Sequence, residues 1–280
     1  MDYSKKGLAG LGAVERARLA EILRINKPVI DITTSAKLWK MDRVRAAKVL
    51  SRFSRKGWLN RIASGSYVPV PLSATRAEIV AEDPFVLAQE LFSPCYISGE
   101  AMANYWGFTE QLFRTMTVMT ERTIRPQKQT IAGIEYILYT LQPNYFFGLE
   151  KIWYGNVSVN IPDPTRTVID LLLFSKLCGS LRFINDVLIN YFNSDYKDIN
   201  LLINYLDKAG SGAAIKRLGF LVELNFPGES KLLEYCNNNL TSGYIKLTSG
   251  QECSVLISRW GLWVPKYWKD KFNDKQTRGL

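Results

Sequence analysis

The sequence predicts an α+β chain in two parts: an N-terminal winged helix-turn-helix, then a mixed α/β C-terminal domain that ends in a helical bundle. Three observations lead there. The first is charge. Residues 1–75 hold 15 Lys+Arg against 5 Asp+Glu, and residues 76–280 hold 21 of each, so the whole net charge of +10 lies in the first quarter of the chain. Such asymmetry marks a nucleic-acid-binding end joined to a neutral module. The second is periodicity, because the basic part reads as helix, helix, turn, helix and hairpin. The third is a change of pattern after Asp163, from strand-like runs to helical ones.

The N-terminal elements follow in order. Val14 to Ile25 carries Val14, Ala17, Leu19, Ala20 and Leu23 as an apolar stripe at helical spacing. Pro28 cannot continue that backbone ladder and ends the helix. After a short extended run, Val29–Ile32, Thr34 is expected to cap a brief helix through Lys40. Asp42 is expected to cap a third helix, Arg43 to Lys56, with Val44, Ala47, Leu50 and Phe53 on its apolar face. Its other faces hold Arg43, Arg45, Lys48, Arg52 and Arg55. Gly57 stands where a C-terminal cap belongs, after two cations that suit the helix dipole. Two strand-like runs, Trp58–Ile62 and Ser66–Val70, are joined by Ala63-Ser64-Gly65.

In a winged helix the third helix enters the major groove and its N-terminal residues meet base edges. The expected DNA-binding residues are therefore Lys40, Arg43, Arg45, Lys48 and Arg52. Arg61, Ser64 and Ser66 at the wing are small, polar or basic enough to approach a backbone or minor groove. Arg offers a planar fork to guanine O6 and N7, and Lys offers a point charge. The same residues could solubilise a helix that contacts protein. The confinement of all the excess charge to this end favours duplex DNA.

The segment from Pro69 to Thr75, together with the loss of basic excess, sets a domain boundary near residues 71–77. The domains are then 1–75 and 77–280. Asp83-Pro84 starts a helix to Phe92, Tyr96-Ile97 is a short buried strand, and Ser98 is expected to cap a helix closed by Gly107. Arg114–Thr120, Ile131–Leu141 and Val157–Ile161 read as strands. Asp163-Pro164 opens a helix from Thr165 to Leu177, followed by helices Leu181–Phe192, Ile199–Leu206 and Ala213–Leu224.

Composition excludes much chemistry. There is no histidine, so Ser-His-Asp or Cys-His nucleophiles and His-ligated zinc are absent. Cys95, Cys178, Cys236 and Cys253 form no CxxC pair and read as buried, reduced thiols of a cytoplasmic protein. The N-terminus lacks the apolar core of a signal peptide. Val168 to Phe192 carries Asp170, Lys176, Arg182 and Asp186, which argues against a membrane span. No phosphate-binding glycine loop or nucleophile elbow occurs. Glu135, Glu150, Asp163 and Asp170 could supply a metal-dependent nuclease cluster, but their spacing fits no particular site. Glu121, Arg122 and Arg125 are expected to form an ion-pair cluster rather than an anion contact, and Trp260 and Trp263 to anchor packing. The expectation is a non-enzyme without metal or cofactor.

Three segments carry a family resemblance. Tyr96-Ile97-Ser98-Gly99-Glu100-Ala101, followed by Tyr105-Trp106-Gly107-Phe108-Thr109-Glu110-Gln111, resembles the ISGESAL…WGLTEQ segment of AbiEi-type antitoxins. Pro164-Thr165-Arg166-Thr167-Val168-Ile169-Asp170-Leu171 and Arg217-Leu218-Gly219-Phe220-Leu221-Val222-Glu223 resemble that family's PERTLVDLL and RLGYLLE signatures. They occur in family order, and the likeness spans roughly residues 10–225. It implies an antitoxin of a type IV, abortive-infection toxin–antitoxin system. Its winged helix would repress its own operon at operator repeats, and its C-terminal domain would counter a nucleotidyltransferase toxin. Two other readings stay open: a single-component, ligand-responsive winged-helix regulator, and a metal-dependent nuclease.

Overall fold

The computed structural model describes residues 10–70, 83–155, 157–175, 180–248 and 252–270. Its first unit runs α1 (Ala13–Arg24), β1 (Ile30–Asp31), α2 (Ile32–Leu38), α3 (Arg43–Arg55), β2 (Leu59–Ala63) and β3 (Ser66–Pro69), with the strands antiparallel in the order β1-β3-β2. The α1 stripe is narrower than its sequence suggests. Leu19 and Ile22 are buried, whereas Val14 is 64% and Leu23 41% exposed. Leu19 and Ile22, spaced i, i+3, face the core, and the small side chains of Ala17 and Ala20 cannot pull the stripe round.

The cap of α2 is Asp31 rather than Thr34. Its carboxylate accepts from the Thr34 amide at 2.8 Å and from the Thr34 hydroxyl. A carboxylate is the stronger acceptor for the orphan amides of a first turn. Helix α3 starts on Asp42 as expected, but its apolar face is turned. Ala46, Leu50 and Phe53 are fully buried and Val44 is 66% exposed. Leu19, Ile22, Ile30, Leu59 and Tyr67 complete this core, and Trp39 meets the Phe53 ring edge-on at 6.2 Å.

The second unit begins with α4 (Pro84–Phe92), β4 (Cys95–Ser98), α5 (Glu100–Tyr105), β5 (Thr115–Thr120), β6 (Lys128–Ile131), β7 (Ile134–Thr140), β8 (Leu149–Tyr154) and β9 (Val157–Pro162). Its main sheet has the order β4-β5-β7-β6, with β5 and β7 parallel and the other pairs antiparallel. The strand expected over Ile131–Leu141 is found as β7, while Ile131 ends β6, its unexpected hairpin partner. Ala132 and Gly133, at φ 51° and 78°, turn the chain between β6 and β7. That is the backbone of a two-residue hairpin loop without its usual Asn or Asp. β8 pairs with β9. Ser98 does not cap α5. Gly99, at φ 73°, holds that position, and the Ser98 hydroxyl donates to Asp170 instead.

Helices α6 (Pro164–Leu173), α7 (Leu181–Phe192), α8 (Ile199–Ala209), α9 (Gly212–Asn225) and α10 (Ser230–Asn238) form the bundle. Asp163, Ser180, Asp198 and Ser211 each cap one of the first four through a side-chain oxygen. α6 stops at Leu173, short of the expected Leu177. Beyond α10 the chain returns to strands, β10 (Ile245–Lys246), β11 (Val255–Ile257) and β12 (Leu262–Val264), in the order β10-β12-β11. Val29, Ile62 and Val68 of the first unit are buried in the same apolar cluster as Val86, Leu87, Val118 and Val159 of the second. The predicted boundary at 71–77 lies outside the described residues. No helix among the described residues is long and apolar enough to cross a membrane.

Candidate nucleic-acid interface

Helix α3 is fixed by its buried stripe, and the stripe decides which side chains it presents. At 100° per residue, the face opposite Ala46, Leu50 and Phe53 is centred on Val44, Lys48, Ser51 and Arg55. These four are exposed, as are Arg43 and Arg52 at the margins. Together with Ile32 and Ala47 they line a shallow groove of about 560 Å³.

The first turn of α3 contains no acid and two arginines, Arg43 and Arg45. Cations there oppose the positive end of the helix dipole. Asp42 offsets them locally. It accepts from the Arg45 amide at 2.8 Å and pairs with the Arg45 guanidinium at 3.2 Å. The hydrogen bond donated by the Arg45 backbone N–H holds the Asp42 carboxyl below its ordinary value. A helix start that collects positive charge beyond its own needs is suited to an anionic partner.

The eight predicted site residues fall into different roles. Lys48 stands on the outward face, and Arg43 lines the same groove from its margin. Arg45 is exposed but directed to Asp42. Arg52 reaches Glu15 of α1 at 3.7 Å, and Lys56 binds the same carboxylate. The hydrogen bond from Lys56 leads in lowering the Glu15 pKa. Lys40 is exposed in the turn before α3 with a left-handed backbone, φ 49°. In the wing, Arg61 Nε donates to the Ala63 carbonyl at 3.3 Å, Ser64 is exposed and Ser66 half-buried. Val44, Ser51 and Arg55 belong to the face but not to the predicted set. The signal for them was available, since Ala46, Leu50 and Phe53 recur at i, i+4, i+7.

A second polar centre lies in the neutral unit. Arg166 and Asp170 are fully buried, with Nε 2.8 Å from Oδ1. Ser98 donates to Asp170 at 2.7 Å, Arg166 Nη2 donates to the Tyr96 hydroxyl at 3.1 Å, and the Phe147 ring centre lies 4.0 Å from the guanidinium carbon. Burial pushes the Asp170 carboxyl above its ordinary value, against the pull of Arg166, Ser98 and Tyr96. Arg217 donates to three carbonyls, those of Leu172 at 2.8 Å, Leu247 at 3.2 Å and Lys246 at 3.4 Å. The three segments quoted for the family resemblance thus meet. The first joins the second through Ser98 and Asp170, and Arg217 of the third reaches the residue after the second.

Three of the four carboxylates weighed for a nuclease are engaged within the chain, Asp170 with Arg166 as above, and Glu150 is exposed. Asp163 caps α6 and accepts from Tyr205, and Glu135 pairs with Lys128 at 2.8 Å. No group of three His, Cys, Asp or Glu among the described residues could hold a metal ion. Arg122 donates to the Leu91 and Ser93 carbonyls, not to the ion-pair cluster expected of it. Trp260 is buried as an anchor, but Trp263 is 37% exposed. Cys95 and Cys236 are buried, and burial raises both thiols to about 12. Cys253 is half-buried, and Cys178 lies outside the described residues. Neither the known family models nor the curated proteins contain a match to this chain.

Proposed function

We propose that residues 1–75 are a winged helix-turn-helix domain that binds operator duplex DNA through α3 and the β2–β3 wing. We propose further that the protein is a cytoplasmic antitoxin and autorepressor of a type IV toxin–antitoxin operon. The observation that carries the first part is the outward face of α3. Arg43, Lys48, Arg52 and Arg55 rim it, in a unit holding all of the chain's excess charge. The second part rests on the resemblance of the three C-terminal segments, of which the first two are joined by Ser98 and Asp170 and the third reaches the Leu172 carbonyl beside the second. In this reading the C-terminal domain counters a nucleotidyltransferase toxin and carries no enzyme chemistry of its own.

Titration of the full-length protein against its upstream operator repeats tests the DNA half. If about five phosphates are neutralised, log affinity should fall against log salt with a slope of about −4 to −5. A flat salt response, or no binding, defeats it. Co-expression with a nucleotidyltransferase toxin encoded beside it tests the other half, growth rescue being the expected result. One observation favours a ligand-responsive regulator as the second reading. A cleft of about 560 Å³ between the units is lined by Lys27, Pro69, Asp83, Val86 and Tyr154. A small molecule that shifts operator affinity without any toxin present would select that reading.

A further inference from the structure

We infer that Val44 reads the C5-methyl group of a thymine in the major groove, which makes it a specificity-determining residue of the proposed operator contact. The inference rests on the DNA-binding reading above.

Val44 occupies the first turn of α3, the part of a groove helix that meets base edges. It is 66% exposed, while Ala46 two residues on is fully buried. Leaving a valine in water wastes its burial, and a β-branched residue gains nothing in helix propensity there. Packing within the chain does not explain it.

Its surroundings are more specific than an isolated exposed apolar residue. Ala47 and Ile32 line the same shallow groove, so the floor is apolar, and its rim is the basic set Arg43, Lys48, Arg52 and Arg55. Ile32 also links this floor to the wing, because a Cβ at Gly65 would stand 3.0 Å from its Cδ1. The occupant must therefore be anionic at its edges and apolar at one point near the start of the helix. Duplex DNA meets both conditions. Phosphates flank its major groove, and the only apolar group displayed there is the thymine C5-methyl. An acidic protein segment with an apolar knob is the alternative occupant, and it would leave duplex affinity low.

The experiment uses the full-length chain. A binding site is first selected from random duplexes, and each thymine of that site is then replaced by uracil, which removes the methyl group alone. For the wild type, at least one thymine position of the selected site should lose about fourfold in affinity on replacement, the value of one buried methyl group. Val44→Ala should bind thymine and uracil equally at that position while keeping the salt slope and melting curve of the wild type. Selection of a specific site with no uracil-sensitive thymine overturns the inference and leaves the DNA-binding reading standing. The same holds if Val44→Ala retains the wild-type discrimination. Failure of the wild type to select or bind any duplex overturns both.

Discussion

Cations on one helix need not contribute alike, because their partners within the chain differ. Lys48 faces outward, Arg43 is exposed at the margin of the same groove, and Arg52 is already close to Glu15. Lys48→Ala should weaken binding to all duplexes alike and reduce the salt slope by about one. Arg43→Ala should also relax base preference, costing about 1–3 kcal/mol if its fork holds a guanine. Arg52→Ala should cost less than either, since its charge is partly neutralised. Competition titrations on matched and scrambled operators separate the three, and a larger loss for Arg52 than for Lys48 would contradict the assignment. Gly219 poses the opposite problem, one of space. A Cβ there would lie 2.1 Å from the ring of Trp260, which is fully buried and donates to Glu223. Helix propensity favours Gly219→Ala by about 1 kcal/mol, but overpacking a fixed indole costs about 1–3 kcal/mol or more. The net effect should be destabilising, read as a lowered melting temperature. The packed glycine was legible in the Arg217-Leu218-Gly219-Phe220 segment, but the tryptophan, 41 residues on, was not.

Elements of the first unit are held at their ends by carboxylates, and this sets their response to acid. Asp31 caps α2, Asp42 caps α3, and Glu15 ties α1 to the end of α3. Hydrogen bonds from Lys56 and Arg45 lower Glu15 and Asp42. At Asp31 burial pushes upward and the Thr34 bonds outweigh it. All three therefore lie below ordinary values of 4.5 for Glu15 and 3.8 for the aspartates. Their contribution to stability is complete above those values and is lost as pH falls through the lower folded ones. With no histidine to titrate, DNA affinity should stay flat from about pH 8 down to about pH 5. The amide signals of Thr34 and Arg45 should then move only below about pH 4. Midpoints at or above the ordinary values would refute the capping account. The aspartate caps Asp42, Asp83 and Asp163 were readable because a cap is a local event, whereas the hydroxyl caps expected at Thr34 and Ser98 were displaced by Asp31 and Gly99. Pairing is not local. Strand β8 carries no clear alternation, and the hairpin at Ala132-Gly133 lacks the residues that announce one, so neither was legible.

At the scale of the whole molecule, the charge boundary was readable and the joint core was not. Val29, Ile62 and Val68 pack into a cluster with residues of α4 and the second unit's sheets, contacts that no local pattern encodes. The buried pair of Arg166 and Asp170 shows the same limit. Its i, i+4 spacing is visible, but Ser98, which completes it, lies 72 residues away. Removing one partner of a buried pair strands the other, so Asp170→Ala should cost about 3–5 kcal/mol and impair folding of the neutral unit. Shared packing also governs how the two proposed activities can be separated. A fragment of residues 77–280 would expose the apolar surface that Val29, Ile62 and Val68 cover, so its failure to rescue growth could reflect instability alone. The cleaner variant keeps the whole chain and replaces Arg43, Lys48 and Arg55 by alanine. All three are exposed and lie outside the buried stripe of α3, so the melting temperature should hold within a few degrees. With the toxin driven from an independent promoter, this variant should still rescue growth, while repression of an operon reporter should be lost. Independent expression matters, because lost repression would otherwise raise the toxin level and mimic lost neutralisation. Rescue and repression failing together in a variant that melts like the wild type would mean that neutralisation itself requires the basic face. The two activities would then share one surface.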